Sequence, residues 1–168
     1  QQQITSSRNT SLNLRMNYDK ALNDNKTSLN FGATYNGYHN HHVLNTAFMK
    51  KPENVLVNNG LLSNDFRFHQ TIYGLTASMR YDFVPNFYVN GGLLAEYTQT
   101  HFDIINNSNR YLNNYWSLLP FANLVKKWKN DVNITFSYKR TVQRPRLNEL
   151  NPSVDYGDPY NTRSGNPY

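Results

Sequence analysis

The chain has 168 residues and a formal net charge of +6, which suits one domain with a core and leaves little room for two. Aromatic residues make up 14% of the chain, so intrinsic disorder is disfavoured despite a mean hydropathy of -0.75. No stretch approaches the roughly 18 apolar residues of a membrane-spanning helix, which excludes an α-helical membrane protein but not a β-barrel. The basic residues are dispersed, so no nucleic-acid partner is expected.

Alternation with a period of two residues begins near the N-terminus. Leu12, Leu14 and Met16 alternate with polar residues, and Leu29 and Phe31 do the same after a turn rich in Asn and Asp. Successive side chains of a strand point to opposite faces, so each run predicts a strand with one apolar face. Together the two runs predict a first hairpin over residues 10–41.

The middle of the chain interrupts this pattern and then resumes it. The stretch from His41 to Asn64 lacks sustained alternation and predicts a long loop with a short strand near Val55 to Val57. Renewed alternation predicts a second hairpin over residues 65–102 and a third over residues 112–143. Both faces of the strand at 112–125 carry apolar residues, so its facing stays open.

Short and long connections alternate along the chain, which is typical of outer-membrane barrels with tight periplasmic turns and long extracellular loops. The fold class predicted is all-β, an antiparallel up-and-down meander of about six long transmembrane strands. Known closed barrels begin at about eight strands, so we expect these strands to be part of a larger outer-membrane β-barrel. Strands of the remaining polypeptide are then expected to pair with its open edges.

The alternation also assigns individual side chains to three environments. The residues expected to face lipid are Leu12, Leu14, Met16, Leu29, Phe31, Leu75, Met79, Val89, Leu93, Val132, Ile134 and Phe136. The aromatic residues expected at the two membrane interfaces are Tyr18, Tyr81, Phe83, Phe87, Tyr97 and Trp128. The polar residues expected to face the lumen are Arg15, Asp19, Arg80, Asp82, Glu96 and Lys139.

The most specific pattern lies near the C-terminus, where Tyr138 to Pro167 resembles a run of Arg, Pro, Asn and Gly positions in TonB-dependent receptors. The closest resemblance is to the outer-membrane β-barrel family common in Bacteroidota. The residues that carry it are Arg140, Arg144, Pro145, Leu150, Asn151, Pro152, Asp158, Pro159, Gly165, Asn166 and Pro167. In that family this run crosses an extracellular loop, which implies such a loop over residues 144–168.

The resemblance implies a parent barrel of about 22 strands with an N-terminal plug, located in the bacterial outer membrane. Such a receptor imports a scarce nutrient with energy relayed by the TonB complex, although neither a plug nor a TonB box lies in these residues. The implied partners are outer-membrane lipid, the remaining barrel strands, the plug and the TonB complex. The transported ligand stays open.

The alternative function is a soluble all-β module that binds carbohydrate or another ligand. Such a module would bury Leu75, Met79, Leu93 and Phe136 within one core, whereas a barrel would expose them in a continuous apolar band. The chain has no phosphate-binding loop, nucleophile elbow or His-Glu-x-x-His helix, so we expect neither enzymatic activity nor a cofactor.

The histidines invite a metal hypothesis, because His39 and His41 project from one face of a strand. They and His42 have no cysteine or carboxylate close by in the sequence, so an exposed loop tip is the favoured interpretation. His69 and His101 are likewise expected at the rim of the barrel.

The arginines of the C-terminal run have two possible roles. Arg140, Arg144 and Arg146 either contact substrate or acidic sugars of the outer leaflet, or tie the loop to its neighbours through carboxylates such as Asp155 and Asp158. We favour the structural role.

Overall fold

The computed structural model describes residues 2–22, 26–60, 63–105, 109–128, 132–150 and 165–166. Its elements are β1 (Gln2–Ala21), β2 (Thr27–Lys50), β3 (Val55–Asn58), β4 (Asn64–Val84), β5 (Phe87–Ile104), β6 (Asn109–Lys127), β7 (Asn133–Lys139) and α1 (Leu147–Leu150). The five longest strands have 18 to 24 residues. A helix that is long and apolar enough to cross a membrane does not occur among the described residues.

The strands form one antiparallel sheet in the order β1-β2-β4-β5-β6-β7, with β3 paired to the end of β2. Each long strand therefore pairs with the next one along the chain, which confirms the predicted up-and-down meander. In the described part of the chain the sheet is a single layer, with the two faces that a barrel wall presents to lipid and to the lumen.

The strands extend further than the alternation predicted. β2 continues past His41 to Lys50, because β1 and β4 run alongside it and supply hydrogen-bond partners on both sides. β3 then folds back onto Ala47–Lys50, so much of the predicted loop from His41 to Asn64 is a hairpin. Alternation of apolar and polar residues did not reveal this extension, because polar residues such as His39 and Asn40 stand on both faces of β2 there.

The last strand ends earlier than the predicted hairpin over residues 112–143, because β7 stops at Lys139. Arg140 donates its backbone N–H to the carbonyl oxygen of Pro120 at 3.0 Å. An antiparallel pair of this kind normally exchanges two such bonds, but Pro120 has no N–H to return. The ladder between β6 and β7 therefore ends at this level, and the chain is free to leave the sheet.

Gly92 lies at a close approach between β5 and its two neighbours. A Cβ atom added to Gly92 would lie 2.6 Å from the carbonyl oxygen of Ala77 and 2.8 Å from the ring of Phe121. The adjacent Gly91 points to the opposite face, where the nearest atom to an added Cβ is 3.6 Å away. Only the first of these two glycines is required by packing.

We therefore expect Gly92→Ala to lower the free energy of unfolding by about 1 to 3 kcal/mol, as overpacking does. The matched substitution Gly91→Ala should leave it nearly unchanged. Urea-dependent unfolding of the full-length protein in lipid vesicles measures both values. Equal losses for the two variants would contradict this packing.

Candidate membrane-facing surface and lumen wall

An apolar surface crosses the whole sheet. Residues directly opposite each other on neighbouring strands share a face, so the register identifies each row of side chains. The central row is Phe31, Ala77, Leu93 and Pro120. The rows on either side of it are Ala33, Leu75, Ala95 and Leu118, and Leu29, Met79, Gly91 and Ala122. We call this surface the outward face and the opposite surface the inner face.

The large side chains of the outward face are exposed. Leu75 is 63% exposed, Met79 49%, Leu93 43% and Phe136 76%. The soluble module requires these four side chains in one core, and in the described part of the chain nothing packs over them. A contiguous apolar surface of this kind is disfavoured in water and favoured in hydrocarbon. The exposed band therefore contradicts the soluble alternative.

An aromatic row, which we call the upper aromatic row, borders this surface at one end. It consists of Tyr35, Tyr73, Tyr97 and Trp116 on four neighbouring strands. Their successive ring centroids lie 5.5, 6.5 and 4.9 Å apart. The Tyr35 hydroxyl points away from the apolar rows toward Gly37. Aromatic rings with one polar end prefer the membrane interface, so this row marks one edge of the apolar band.

A second aromatic cluster, the lower cluster, lies at the other end of the band. The rings of Tyr81 and Phe87 lie 4.9 and 5.2 Å from the ring of Phe83. The Lys126 ammonium is 5.5 Å from the Phe87 ring and 5.9 Å from the Trp128 ring. The distance from Phe87 to Tyr97 along β5 is about 33 Å, or about 25 Å along the membrane normal at the usual strand tilt. That height matches the apolar band of an outer-membrane barrel.

The register places eleven of the twelve predicted lipid-facing residues on the outward face, and the twelfth, Val132, directly precedes β7. Of the predicted interface aromatics, Tyr97 lies in the upper aromatic row, whereas Tyr18 lies opposite Phe31 and so extends the central row onto β1. The others lie at the lower end. The facing of residues 112–125 is now resolved: Trp116 and Leu118 point outward, while Leu119 is buried on the inner face.

Polar side chains cover much of the inner face, where the alternation puts all six predicted lumen residues. Asn30 donates to Asp19 at 2.7 Å, and Arg80 pairs with Asp82 at 2.8 Å. The Arg80 guanidinium also lies 3.8 Å from the centre of the Tyr88 ring. These contacts hold charged groups in place on a surface that faces away from lipid.

The upper part of the inner face carries an apolar cluster that sequence reasoning missed. Phe66, Phe68, Phe102 and Ile104 are each no more than 6% exposed, and Leu150 of α1 packs against them. A signal was present: these aromatics occupy the even-numbered positions of β4 and β5, opposite to the lipid-facing series. The segment that follows β7 packs against this cluster through Leu150.

This segment, residues 140–150, returns across the inner face. Arg144 pairs with Glu96 and donates to Thr98 at 3.4 Å, so its partner is the wall. Between segment and wall lies a recess of about 480 Å³, whose lining includes Thr76, Leu94, Glu96, Asn123, Lys139 and Arg144. The described part of the predicted extracellular loop therefore lies against the inner face.

The family-like run is described only in part. Asn151, Pro152, Asp158, Pro159 and Pro167 lie outside the described residues, and so does Asp155, one of the carboxylates expected to pair with the arginines. Gly165 and Asn166 are described, and the Asn166 N–H donates to the carbonyl oxygen of Glu149 at 2.7 Å.

The histidines occupy regular strand positions. His39, His41 and His42 lie within β2, so the prediction of a loop tip was wrong for the same reason as the predicted end of that strand. His39, His69 and His101 form one row across three strands, with ring centroids 5.8 and 6.2 Å apart. Among the described residues no group of His, Cys, Asp or Glu is arranged to hold a metal ion.

A comparison with known families agrees with this geometry. The model described as the outer membrane protein beta-barrel family matches residues 1–168. No curated protein and no solved structure shows significant similarity to the chain. With its single sheet, apolar outward band and bordering aromatic residues, the chain belongs to the outer membrane protein beta-barrel family and resides in the bacterial outer membrane.

Proposed function

We propose that the chain forms part of the barrel wall of a TonB-dependent receptor of the kind common in Bacteroidota, which takes up a scarce nutrient. The observation that carries this proposal is the family-like run, whose described residues 140–150 leave β7 and lie on the inner face. Its Arg144 and Leu150 attach to the wall at Glu96 and at the phenylalanine cluster. A segment in this position narrows the lumen, as expected of a passage that admits a selected ligand.

The wall itself performs no chemistry in this proposal. Its outward face is solvated by lipid, its edges pair with further strands, and its inner face surrounds a plug. Energy for transport comes from the TonB complex, which acts on the plug. Beside the Arg144–Glu96 pair, the recess offers the Asn123 amide and the Lys139 ammonium to a polar ligand.

The two ends of the wall indicate its orientation. At the lower end, Pro85–Asn86 alone joins β4 to β5, with Asn86 in the left-handed conformation at a φ of 65°. At the upper end, β2 reaches β4 through the additional strand β3. Outer-membrane barrels have short turns in the periplasm and long connections outside, so we assign the upper end to the cell exterior.

Cysteine labelling tests this orientation, because these 168 residues contain no cysteine and the unsubstituted protein measures any labelling from elsewhere in the polypeptide. Lys51→Cys, in the turn between β2 and β3, should react with a membrane-impermeant maleimide on intact cells. Lys127→Cys, at the lower end, should react only after the outer membrane is permeabilised. The reverse pattern of labelling would overturn the orientation.

Dependence on TonB tests the transport proposal. The full-length protein should retain the purified periplasmic domain of TonB in a pull-down assay. Deleting its gene should slow growth when iron, cobalamin or oligosaccharide is limiting, and deleting tonB should remove the advantage of restoring the gene. If the protein binds no TonB domain and its growth effect persists without tonB, the receptor proposal fails.

A further inference from the structure

The outward face continues beyond the upper aromatic row, where its chemistry changes from apolar to basic. His39, His69 and His101 form a row there, on the same face as Tyr73 because they lie an even number of residues from the aromatic row. His69 lies four residues beyond Tyr73, about 13 Å along the strand and about 10 Å along the membrane normal. The histidine row is therefore at the level of lipid headgroups.

Arginines lie in the next row outward, which consists of Arg8, His41, Arg67, Asp103 and Arg110. Arg110 donates to Asp103 at 2.8 Å, and His41 contacts Asp65 at 2.9 Å, so both carboxylates are already engaged. This part of the outward face therefore has three arginines against two carboxylates, and Arg8 and Arg67 lie outside the ion pairs of the described residues.

The histidine row is better suited to an anion than to a metal ion. The spacing of its rings extends over three strands in a line, and the described residues include no metal-binding group. Burial and the neighbouring His39 and His101 lower the pKa of His69 below its ordinary value, since each protonated ring repels the next. An anion above the row would offset this repulsion and favour protonation.

The apolar rows beneath identify the anion's source. A free anion would not contact the apolar surface directly below this site. A lipid would contact both, with its acyl chains against the apolar surface and its headgroup above the aromatic row. We propose that His39, His69, His101 and Arg67 bind a phosphate group on the headgroup of an outer-leaflet glycolipid. This inference rests on the orientation assigned above and not on the transport function.

Native mass spectrometry of the full-length protein in detergent tests the proposal with two probes, lipid A and the same lipid A after enzymatic dephosphorylation. The wild-type protein should retain the phosphorylated lipid about tenfold better, the gain expected of one charge-assisted contact. The variant Arg67→Gln/His69→Gln should retain both lipids equally. Arg15→Gln, which removes an arginine from the inner face, is the matched control and should behave as wild type.

Retention should also depend on pH, because protonated histidines attract the phosphate more strongly. The ionisable groups that face His69 are His39, His41, Asp65, Arg67, His101 and Asp103. Of these groups, His69 has a pKa lowered by burial and by its histidine neighbours, so it gains its charge only in mildly acidic solution, and retention should be stronger at about pH 5.5 than at about pH 8. In the double variant, where His69 and Arg67 are gone, the pH dependence should weaken.

Several results would overturn the proposal. Equal retention of the two lipids by the wild-type protein would do so, and so would full displacement by millimolar inorganic phosphate or a requirement for zinc. Equal loss in Arg15→Gln would show a general effect of charge. Labelling at Lys51→Cys separates the two inferences: a labelled cysteine with no lipid preference rejects the site alone, whereas an unlabelled cysteine rejects the orientation.

Discussion

Leu93→Arg is expected to lower the stability of the full-length protein in a bilayer by about 2 to 4 kcal/mol, the cost of a cation at the middle of the membrane. Leu93 lies on the outward face, four residues from Tyr97 in the upper aromatic row and six from Phe87 in the lower cluster. Its row contains only apolar partners, so an arginine there has no carboxylate to contact. Its side chain is also too far from either interface to reach headgroups easily.

Two control substitutions vary the depth of the arginine in the membrane and the face of the sheet to which it points. Phe136→Arg should cost less, because Phe136 is level with Val89 and Tyr81 near the lower interface. Ser137→Arg changes the next residue, which points to the inner face, and should cost little. Equilibrium refolding into vesicles at increasing urea concentration gives all three values. Equal losses at the three positions would contradict the assigned membrane-facing surface.

The apolar band could be predicted from the sequence because it reflects the strictest requirement on the chain. A strand between lipid and a polar lumen must alternate apolar and polar side chains. When neighbouring strands pair in register, their apolar side chains form one continuous surface. The parity of Leu75 and Met79 therefore predicts a shared face of the sheet, and the register places both on the outward face. The order of strands could be predicted from the short turns, because two strands joined by a short turn pair with each other.

The remaining features depend on information that alternation does not contain. Above the upper aromatic row, polar residues such as His39 and Asn40 stand on both faces of β2, so the strand continues to Lys50 without alternation of apolar and polar residues. The histidine row arises from a register that matches His39, His69 and His101 across 62 residues of sequence. No local pattern in the sequence fixes such a match.

The end of β7 depends both on a residue that the sequence shows and on the register of the strands. Pro120 can be identified in the sequence. Whether it ends a ladder of hydrogen bonds depends on which neighbouring strand lies on the side where a backbone N–H is lacking. Only the register shows that Arg140 is that partner. Once the ladder ends there, the arginines that follow are no longer alternating wall residues. Their contacts are then set by the inner face.

Removing Arg144 is expected to produce the second large effect, because its guanidinium is the partner of a carboxylate that lies largely out of solvent. The side chains of Arg144 and Glu96 are 21% and 16% exposed, respectively. Breaking such a pair leaves an uncompensated charge, so Arg144→Met should lower the free energy of unfolding by about 2 to 3 kcal/mol. It should also release residues 140–150 from the wall, which limited proteolysis of the membrane-embedded protein can detect.

A double-mutant cycle separates the contribution of the Arg144–Glu96 ion pair to stability from that of the packing of the arginine side chain. In Arg144→Met/Glu96→Gln no charge is left unpaired, so the double variant should recover much of the stability lost in Arg144→Met. Arg146→Met is the matched control: Arg146 is exposed and forms no ion pair among the described residues, so its loss should be small. If the two single changes at Arg144 and Glu96 are additive, or if Arg146→Met is as damaging as Arg144→Met, the pair does not hold this segment on the inner face.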